Sequence, residues 1–226
     1  METLEEIKGR IESTIMGARV EILPNKAVPA QSSLILDHTH AVEVAKFLRD
    51  DAALQLDCCS NVTGVDWLDR VVKTKVKVKK LVDGEEKEVE ETEEETVPGY
   101  LESVYHLFSI ALKQGPVVIR LRTASRETGP GSTVPSLTPV WKSAELQERE
   151  AYDLFGIQYL GHPDLRRLLM WESFQDHPMR KDYIGPDDFE YEPTAHDEVL
   201  ERAKTHYSNR PGADGCEGTF GQGRSN

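Results

Sequence analysis

The sequence has few cysteines and no long apolar stretch. Its 226 residues include three cysteines, Cys58, Cys59 and Cys216, and no pair has the C-x-x-C spacing typical of zinc knuckles and iron–sulfur sites. The longest apolar run, residues 104–112, is interrupted by His106 and falls well short of the roughly 18 residues of a membrane span. These absences predict that the chain alone binds no cluster or metal and has no membrane-spanning helix.

Basic residues are also in short supply. Lys and Arg number 27 against 40 Asp and Glu, which gives a formal net charge of −13. Because binding to phosphates or anionic lipid requires a basic face, this balance argues against nucleic acid or a lipid surface as the partner. Residues 1–6 lack the pattern of a secretory signal or a transit peptide. We therefore expect a protein of the cytoplasm or of the cytoplasmic face of a membrane.

Hydrophobic periodicity predicts an α+β fold, with a mixed, largely antiparallel sheet packed with helices and followed by a long extended C-terminal segment. Leu4–Ile15 has the pattern of an amphipathic helix, and a second helix is predicted after Thr39 as its N-cap, with apolar residues spaced from Ala41 to Leu48. Gln114-Gly115 is interpreted as a tight turn between two strands. The segments with strand character are 33–36, 54–67, 100–112 and 117–121.

Residues 73–95 predict a protruding charged hairpin. A lysine-rich arm is followed by Asp83-Gly84, a strong two-residue turn signal, and then by a glutamate-rich arm. With this turn, Lys79 faces Glu88 and Val78 faces Val89. The hairpin is interpreted as an insertion into a domain that covers residues 1–135.

The rest of the chain is predicted to divide into two parts. Residues 136–193 begin with Thr138-Pro139 as a helix start, continue as a helix over about 143–155 that stops at Gly156, and then remain extended. Residues 194–226 are predicted to form a short helix, 195–207, and a flexible Gly-rich tail.

Charged and aromatic residues are concentrated between Glu148 and Leu169. On the predicted helix, Glu145, Arg149 and Asp153 are spaced by four residues, which predicts a ladder of opposite charges. Such a segment is catalytic, metal-binding or interfacial, and an interface rich in Arg, Tyr and Phe fits its composition best. The candidate ligand pairs for a metal are His162 with Asp164 and His38 with His40.

The segment 148–169 resembles the hallmark segment of the 30 kDa subunit family of respiratory complex I, the NADH-quinone oxidoreductase. The wider resemblance covers about residues 33–183, and it departs from the family pattern at the hairpin and at Gln147, where the family often has an aromatic residue. The matching positions are Glu148, Arg149, Glu150, Asp153, Leu154, Phe155, His162, Arg166, Leu168 and Leu169.

The resemblance implies a non-catalytic subunit in the peripheral arm of a proton-translocating NADH:quinone oxidoreductase, on the cytoplasmic face of the cell inner membrane. It implies no cofactor in this chain, whereas FMN, iron–sulfur clusters and quinone belong to partner subunits. The partners implied are the quinone-site subunit of the D type and cluster-bearing subunits of the B and I types. No activity is expected from the isolated chain.

The resemblance also implies that the extended segment lies across the quinone-site subunit, and we expect it to be partly disordered in the free chain. Its arginines, Arg149, Arg166, Arg167 and Arg180, are expected to pair with acids of this chain or of the partner. The residues expected at the partner interface are Glu148, Arg149, Glu150, Tyr152, Asp153, Phe155, Gly156, His162, Pro163, Asp164, Arg166, Arg167, His177, Pro178, Arg180, Lys181 and Asp182.

Three other hypotheses stay open. The chain could have the same role in a ferredoxin-fed or hydrogenase-type relative of complex I. It could be an assembly factor that leaves the finished complex. A more distant alternative is a free-standing metal-dependent hydrolase that uses His162, Asp164 and His177.

Overall fold

The computed structural model describes residues 2–25, 32–82 and 85–185, and between residues 73 and 93 only the backbone. Residues Met1–Tyr183 form one compact unit, and a second unit, Ile184–Asn226, lies almost wholly outside the described residues. The predicted helix 195–207 and the Gly-rich tail also lie outside them. The predicted divisions of the chain after residues 135 and 193 stay predictions.

The described residues form three α-helices and nine strands, which confirms the predicted α+β class. The helices are α1 Leu4–Thr14, α2 Ala41–Asp50 and α3 Ala144–Phe155. The strands are β1 Val20–Leu23, β2 Ser33–Leu36, β3 Cys58–Trp67, β4 Arg70–Val82, β5 Glu85–Val97, β6 Tyr100–Ser109, β7 Gln114–Arg122, β8 Thr133–Pro135 and β9 Gln158–Leu160. No helix in the described ranges is both long and apolar enough to cross a bilayer.

One five-stranded sheet, in the order β1-β2-β7-β6-β3, organises the unit. Within it β2 and β7 are parallel and the other neighbours are antiparallel, as the sequence predicts for a largely antiparallel sheet. Strands β4 and β5 form a separate antiparallel pair, and β8 and β9 form a short parallel pair.

The main hydrophobic core lies on one face of the large sheet. Side chains alternate between the two faces of a strand, and Leu101, Tyr105 and Leu107 of β6 all point to this face. They join a buried cluster to which the helices contribute, among others, Ile7 and Leu48. The helices are therefore fixed to the sheet by the hydrophobic effect along one stripe of each helix.

The sequence predicted the first residue of α1 correctly, but it did not predict the N-cap of α2. Helix α1 begins with a capping box, in which the Thr3 N–H donates to the Glu6 carboxylate and the Glu6 N–H donates to the Thr3 hydroxyl. The prediction that Thr39 caps α2 is wrong, because the N-cap residue is His40. The Asp37 carboxylate accepts the His40 N–H at 2.9 Å and so performs the capping from outside the helix.

The turns of the two hairpins also separate correct from incorrect predictions. The register of β4 and β5 pairs Lys79 with Glu88 and Val78 with Val89, as predicted. The tip, Asp83-Gly84, lies outside the described residues. The turn predicted at Gln114-Gly115 is wrong, because Gln114 already pairs with Ser109 and the chain turns over residues 110–113.

Helix α3 packs along β3, which is an outermost strand of the large sheet. The Ser143 hydroxyl donates to the Cys59 carbonyl at 2.8 Å, and the Val62 N–H donates to the side-chain oxygen of Gln147. A β-carbon at Gly64 would lie 2.4 Å from the Phe155 ring, so only glycine permits this approach of helix and strand. Side chains of α3 and of its N-cap residue, Ser143, therefore satisfy backbone groups of β3 that no neighbouring strand reaches.

Candidate functional site

The motif residues lie on α3 and on the irregular chain that follows it. The helix starts at Ala144, not at the predicted Thr138-Pro139, because Thr138 is buried and uses its hydroxyl in a contact with the helix. It ends at Gly156, which has φ 79° and donates its N–H to the Tyr152 carbonyl. Glycine is required there by the left-handed conformation.

Glu148 has no exposed surface and joins three parts of the fold. Its carboxylate accepts the hydroxyls of Ser136 at 2.6 Å, Tyr105 at 3.0 Å and Thr138 at 3.1 Å, and the N–H of Leu137 at 2.8 Å. Burial raises the pKa of Glu148 by more than these four donors lower it. The first glutamate of the motif therefore ties α3 to β6 and to the loop before the helix.

Asp153 is likewise buried, and it is surrounded by donors from the chain beyond the helix. One carboxylate oxygen accepts the N–H groups of Leu168 at 3.0 Å, Leu169 at 2.7 Å and Met170 at 2.8 Å. The other oxygen accepts from the Arg167 guanidinium at 2.6 Å. Burial alone would raise the pKa of Asp153, but these donors outweigh it and lower the pKa below its ordinary value.

The predicted ladder of Glu145, Arg149 and Asp153 is wrong. Arg149 donates instead to the carbonyls of Arg166 and Arg167, each at 3.1 Å. The acid within 4 Å of it in the described chain is Asp164, at 3.8 Å. Arg149 and Asp153 do not pair because the carboxylate is already enclosed by backbone N–H groups, and an arginine that precedes an acid on a helix is the weaker orientation.

His177 and Arg180 fix the chain further on. The His177 Nδ1 lies 2.9 Å from the Asp153 carbonyl, and Arg180 donates to the Phe155 carbonyl at 2.7 Å and to the Thr128 hydroxyl at 3.2 Å. Burial, with the nearby guanidinium groups, lowers the pKa of His177. Arg180 forms no ion pair with a described acid, whereas the other three motif arginines each have one.

A further group of contacts joins Lys181 and Asp182, in the chain beyond α3, to Asp66 of β3, and the sequence did not predict these contacts. Arg126 forms a two-pronged ion pair with the buried Asp66, at 2.6 and 2.8 Å, and also pairs with Asp182 at 2.8 Å. The Lys181 N–H donates at 2.9 Å to the Asp66 carboxylate oxygen that also accepts from the terminal nitrogen of Arg126. Burial would raise the pKa of Asp66, but Arg126 and this N–H lower it. Arg126 lies in the irregular chain between β7 and β8, and nothing in its local sequence indicates a partner so distant in the chain.

The other predicted site residues divide between surface and core. Tyr152 and Phe155 are half-buried against the core, Pro178 is half-buried, and Arg166 pairs with Asp164 at 2.9 Å. Residues with exposed positions are Glu150, Pro163, Asp164, Arg166, Lys181 and Asp182. The structure therefore brings most of the motif together, but largely through contacts within the chain.

The predicted metal ligands are used in other ways. His162 has its Nε2 3.0 Å from the Glu145 carbonyl, and its Nδ1 accepts the Asp164 N–H at 3.1 Å. His40 contacts Asp37 and His38 contacts a backbone carbonyl. Among the side chains that the structure describes, no three of His, Cys, Asp or Glu are grouped as metal ligands would be. The hydrolase hypothesis therefore has no support in this part of the chain.

We call residues 162–183 the anchored segment, because Glu145, Arg149, Asp153, Phe155 and Asp66 hold it at successive points. The backbone of this segment is irregular, and its large apolar side chains are not all used in anchoring. Leu169, Trp171 and Met179 are 61%, 59% and 56% exposed. The fold and these contacts define a class of protein: an α+β domain that displays an apolar surface on an anchored irregular segment.

Comparison with known proteins identifies the family. Residues 34–189 match the family model of the respiratory-chain NADH dehydrogenase 30 kDa subunit. The chain is 37% identical over 172 residues to the C subunit of NADH-quinone oxidoreductase from Saccharopolyspora erythraea, and the match covers 71% of this chain and 57% of that protein. It is 36% identical over 182 residues to the protein of the same name from Xanthobacter autotrophicus, with 80% and 70% covered.

Among solved structures, the chain resembles "Nqo5 of the trypsin-resistant fragment (1-134)", with 25% identity and a TM-score of 0.41 over 72% of this chain and 96% of that one. The chain belongs to the family of the 30 kDa subunit of respiratory-chain NADH dehydrogenase. It spans less than two thirds of the length of the Saccharopolyspora relative.

Proposed function

We propose that the chain is a non-catalytic subunit of the peripheral arm of a proton-translocating NADH:quinone oxidoreductase. The observation that supports this most strongly is the family match over residues 34–189, which includes the large sheet except β1, and the whole anchored segment. In this proposal the enzyme is the assembled complex, and the isolated chain has no oxidoreductase activity. FMN, iron–sulfur clusters and quinone are bound by other subunits, and the chain is peripheral on the cytoplasmic face of the membrane.

The partner that we propose for the anchored segment is the quinone-site subunit of the D type, with cluster-bearing subunits of the B and I types as neighbours. The charges of the motif are used mainly inside the chain, since Glu148 and Asp153 are fully buried and Arg149 nearly so. The exposed side chains of Leu169 and Trp171 are better suited to carry the contact, because large exposed apolar groups mark interaction sites. The role of the motif in this proposal is to shape the surface that the partner binds.

The first experiment is affinity purification of the tagged full chain from mild-detergent extracts of native membranes, with mass spectrometry and an in-gel NADH oxidation stain. The proposal predicts cluster-bearing and membrane subunits in a band that stains with NADH. The same partners without the stain would indicate a ferredoxin-fed or hydrogenase-type relative. Recovery with assembly intermediates alone would indicate an assembly factor, and recovery of the chain alone would refute a subunit role.

A matched pair of substitutions tests which surface is used. Leu169→Asp places a charge on the anchored segment, whereas Ile110→Asp places the same charge at a side chain of similar exposure, 67%, in the turn between β6 and β7. We expect Leu169→Asp to reduce co-purification of the partner at least tenfold, because a contact at the centre of an interface contributes about 2 kcal/mol or more. Ile110→Asp should leave it unchanged. Equal loss with both variants would show that the charge acts through folding.

A further inference from the structure

The large sheet has a second face, on the side away from the helices. We call it the outer face and define it by Trp67, Tyr100, Glu102, Arg120 and Arg122. The register places Trp67 beside Tyr100 and Glu102 beside Arg122. Alternation along β6 directs Glu102 away from the core side chains Leu101 and Ser103 on either side of it.

The five residues that define the outer face carry two positive charges and one negative charge. Glu102 is fully buried, and it accepts from Arg120 at 2.7 Å, from Arg122 at 2.6 Å and from the indole N–H of Trp67 at 2.8 Å. One carboxylate is therefore shared by two guanidinium groups. This local excess contrasts with the formal charge of −13 of the whole chain.

Arg120 and Arg122 retain guanidinium N–H groups that can donate to a partner. Arg122 uses only its Nε, and within the described residues neither of its terminal nitrogens has a hydrogen-bond acceptor. Its guanidinium lies 5.0 Å from the centre of the Tyr100 ring, which holds it in place. The side chains of Arg120 and Arg122 are 22% and 31% exposed, so both can be reached from solvent.

His106 extends the same face. It lies four residues after Glu102 on β6, and side chains at even spacing along a strand point to the same face. Its register partner is Val118 of β7. Burial, together with the charge of Arg120, lowers the pKa of His106, and its Nδ1 has no hydrogen-bond partner within the described part of the chain. The ring thus lies near the positive charge of Arg120, whose effect extends along the outer face to His106.

We propose that the outer face is a docking surface for an acidic segment of a neighbouring subunit, whose carboxylates bind Arg122 and Arg120 beside Trp67 and Tyr100. This inference builds on the proposed role as a subunit. A guanidinium with free terminal N–H groups matches a carboxylate in two-pronged geometry. Arginine, tryptophan and tyrosine are also the side chains that contribute most to binding at interfaces. Since the chain as a whole is acidic, an acidic partner is repelled elsewhere and is thereby oriented to this face.

The test uses the full chain in its native assembly, with the photo-crosslinker benzoylphenylalanine in place of Tyr100. We expect cross-links to a segment of another subunit that is rich in Asp and Glu. Adding Arg122→Gln should lower the yield at least tenfold, whereas Arg122→Lys should keep part of it. The matched control carries the crosslinker at Met16, which is 95% exposed after α1 and should not give this product.

Three outcomes would overturn the inference: cross-links only to residues 186–226 of the same chain, cross-links to a segment without acids, or none in an assembly that contains the chain. If the chain enters no assembly at all, the proposed function itself fails, and the two failures are thus distinguishable. Thermal unfolding of the free Arg122→Gln chain controls for stability. A second measurement, oxidation of Trp67 by hydroxyl radicals, should decrease severalfold in the assembly if the face is covered, and unchanged oxidation would contradict the inference.

Discussion

The enclosed carboxylate of Asp153 allows a quantitative prediction about the anchored segment. Asp153→Asn keeps the shape of the side chain but removes its charge, so that three N–H groups and Arg167 lose an ionic acceptor. Arg167 then remains nearly buried without its partner, since its side chain is only 12% exposed. Breaking a buried ion pair in this way costs about 3–5 kcal/mol. At the lower figure, the melting temperature should fall by roughly 6–12 °C for a chain of this size.

The measurement combines urea unfolding of the free chain with hydrogen exchange at residues 168–170. We expect slow exchange at these amides in the unmodified chain, which revises the sequence-based expectation that the segment is partly disordered, and fast exchange in Asp153→Asn. Asp164→Asn is the matched control, because Asp164 is 46% exposed and its ion pairs should contribute less than about 1 kcal/mol. Unchanged stability and unchanged exchange in Asp153→Asn would refute the reasoning.

Three further predictions concern stability. Glu148→Gln should change the free energy of unfolding at pH 7 by less than about 1 kcal/mol, because rotated hydroxyls can still pair with an amide, whereas Glu148→Ala should cost about 3 kcal/mol or more. Urea titration of both variants checks this, and equal losses would contradict it. Gly64→Ala should destabilise the chain by about 1–3 kcal/mol, because the added methyl group would collide with Phe155. Gly9→Ala, in open space on α1, should stabilise the chain by up to about 1 kcal/mol. Thermal unfolding that ranks the two variants the other way would contradict the packing of α3 on β3. Since the pKa of His177 is lowered on folding, its contribution is complete above its unfolded value of about 6.5 and is lost as the pH falls below it. His177→Gln should therefore flatten the dependence of unfolding free energy on pH below about 6.5, and an unchanged slope would exclude this assignment.

The features predicted correctly are those determined by neighbouring residues. The register of the hairpin follows from Asp83-Gly84, since a two-residue turn determines every later pair across the strands. The position of α1 follows from its apolar spacing, since the helix begins at the predicted Leu4 and ends one residue before the predicted Ile15. In each case the interacting groups are close in sequence or repeat with the period of the element.

The features missed depend on backbone groups or distant partners. The partners of Asp153 are N–H groups 15 to 17 residues further along the chain, and every residue except proline carries an N–H, so no side-chain pattern marks them. The contact of Arg180 with the Phe155 carbonyl was missed for a similar reason, because every residue carries a C=O group and no side-chain pattern marks this one. The pair of Arg126 and Asp66 joins residues 60 positions apart, which only the folded topology brings together.

The position of α3 along β3 has a consequence for how the chain can fail. An outermost strand with free N–H and C=O groups is a template on which another chain can aggregate, and here Ser143 and Gln147 occupy such groups. The same helix carries Asp153, which holds the anchored segment. A molecule in which α3 has not docked would therefore expose unpaired backbone groups along β3 and would also lack an ordered anchored segment. Folding defects in this region should thus lead to aggregation and removal, and should seldom produce a soluble chain that enters an assembly in a damaged form.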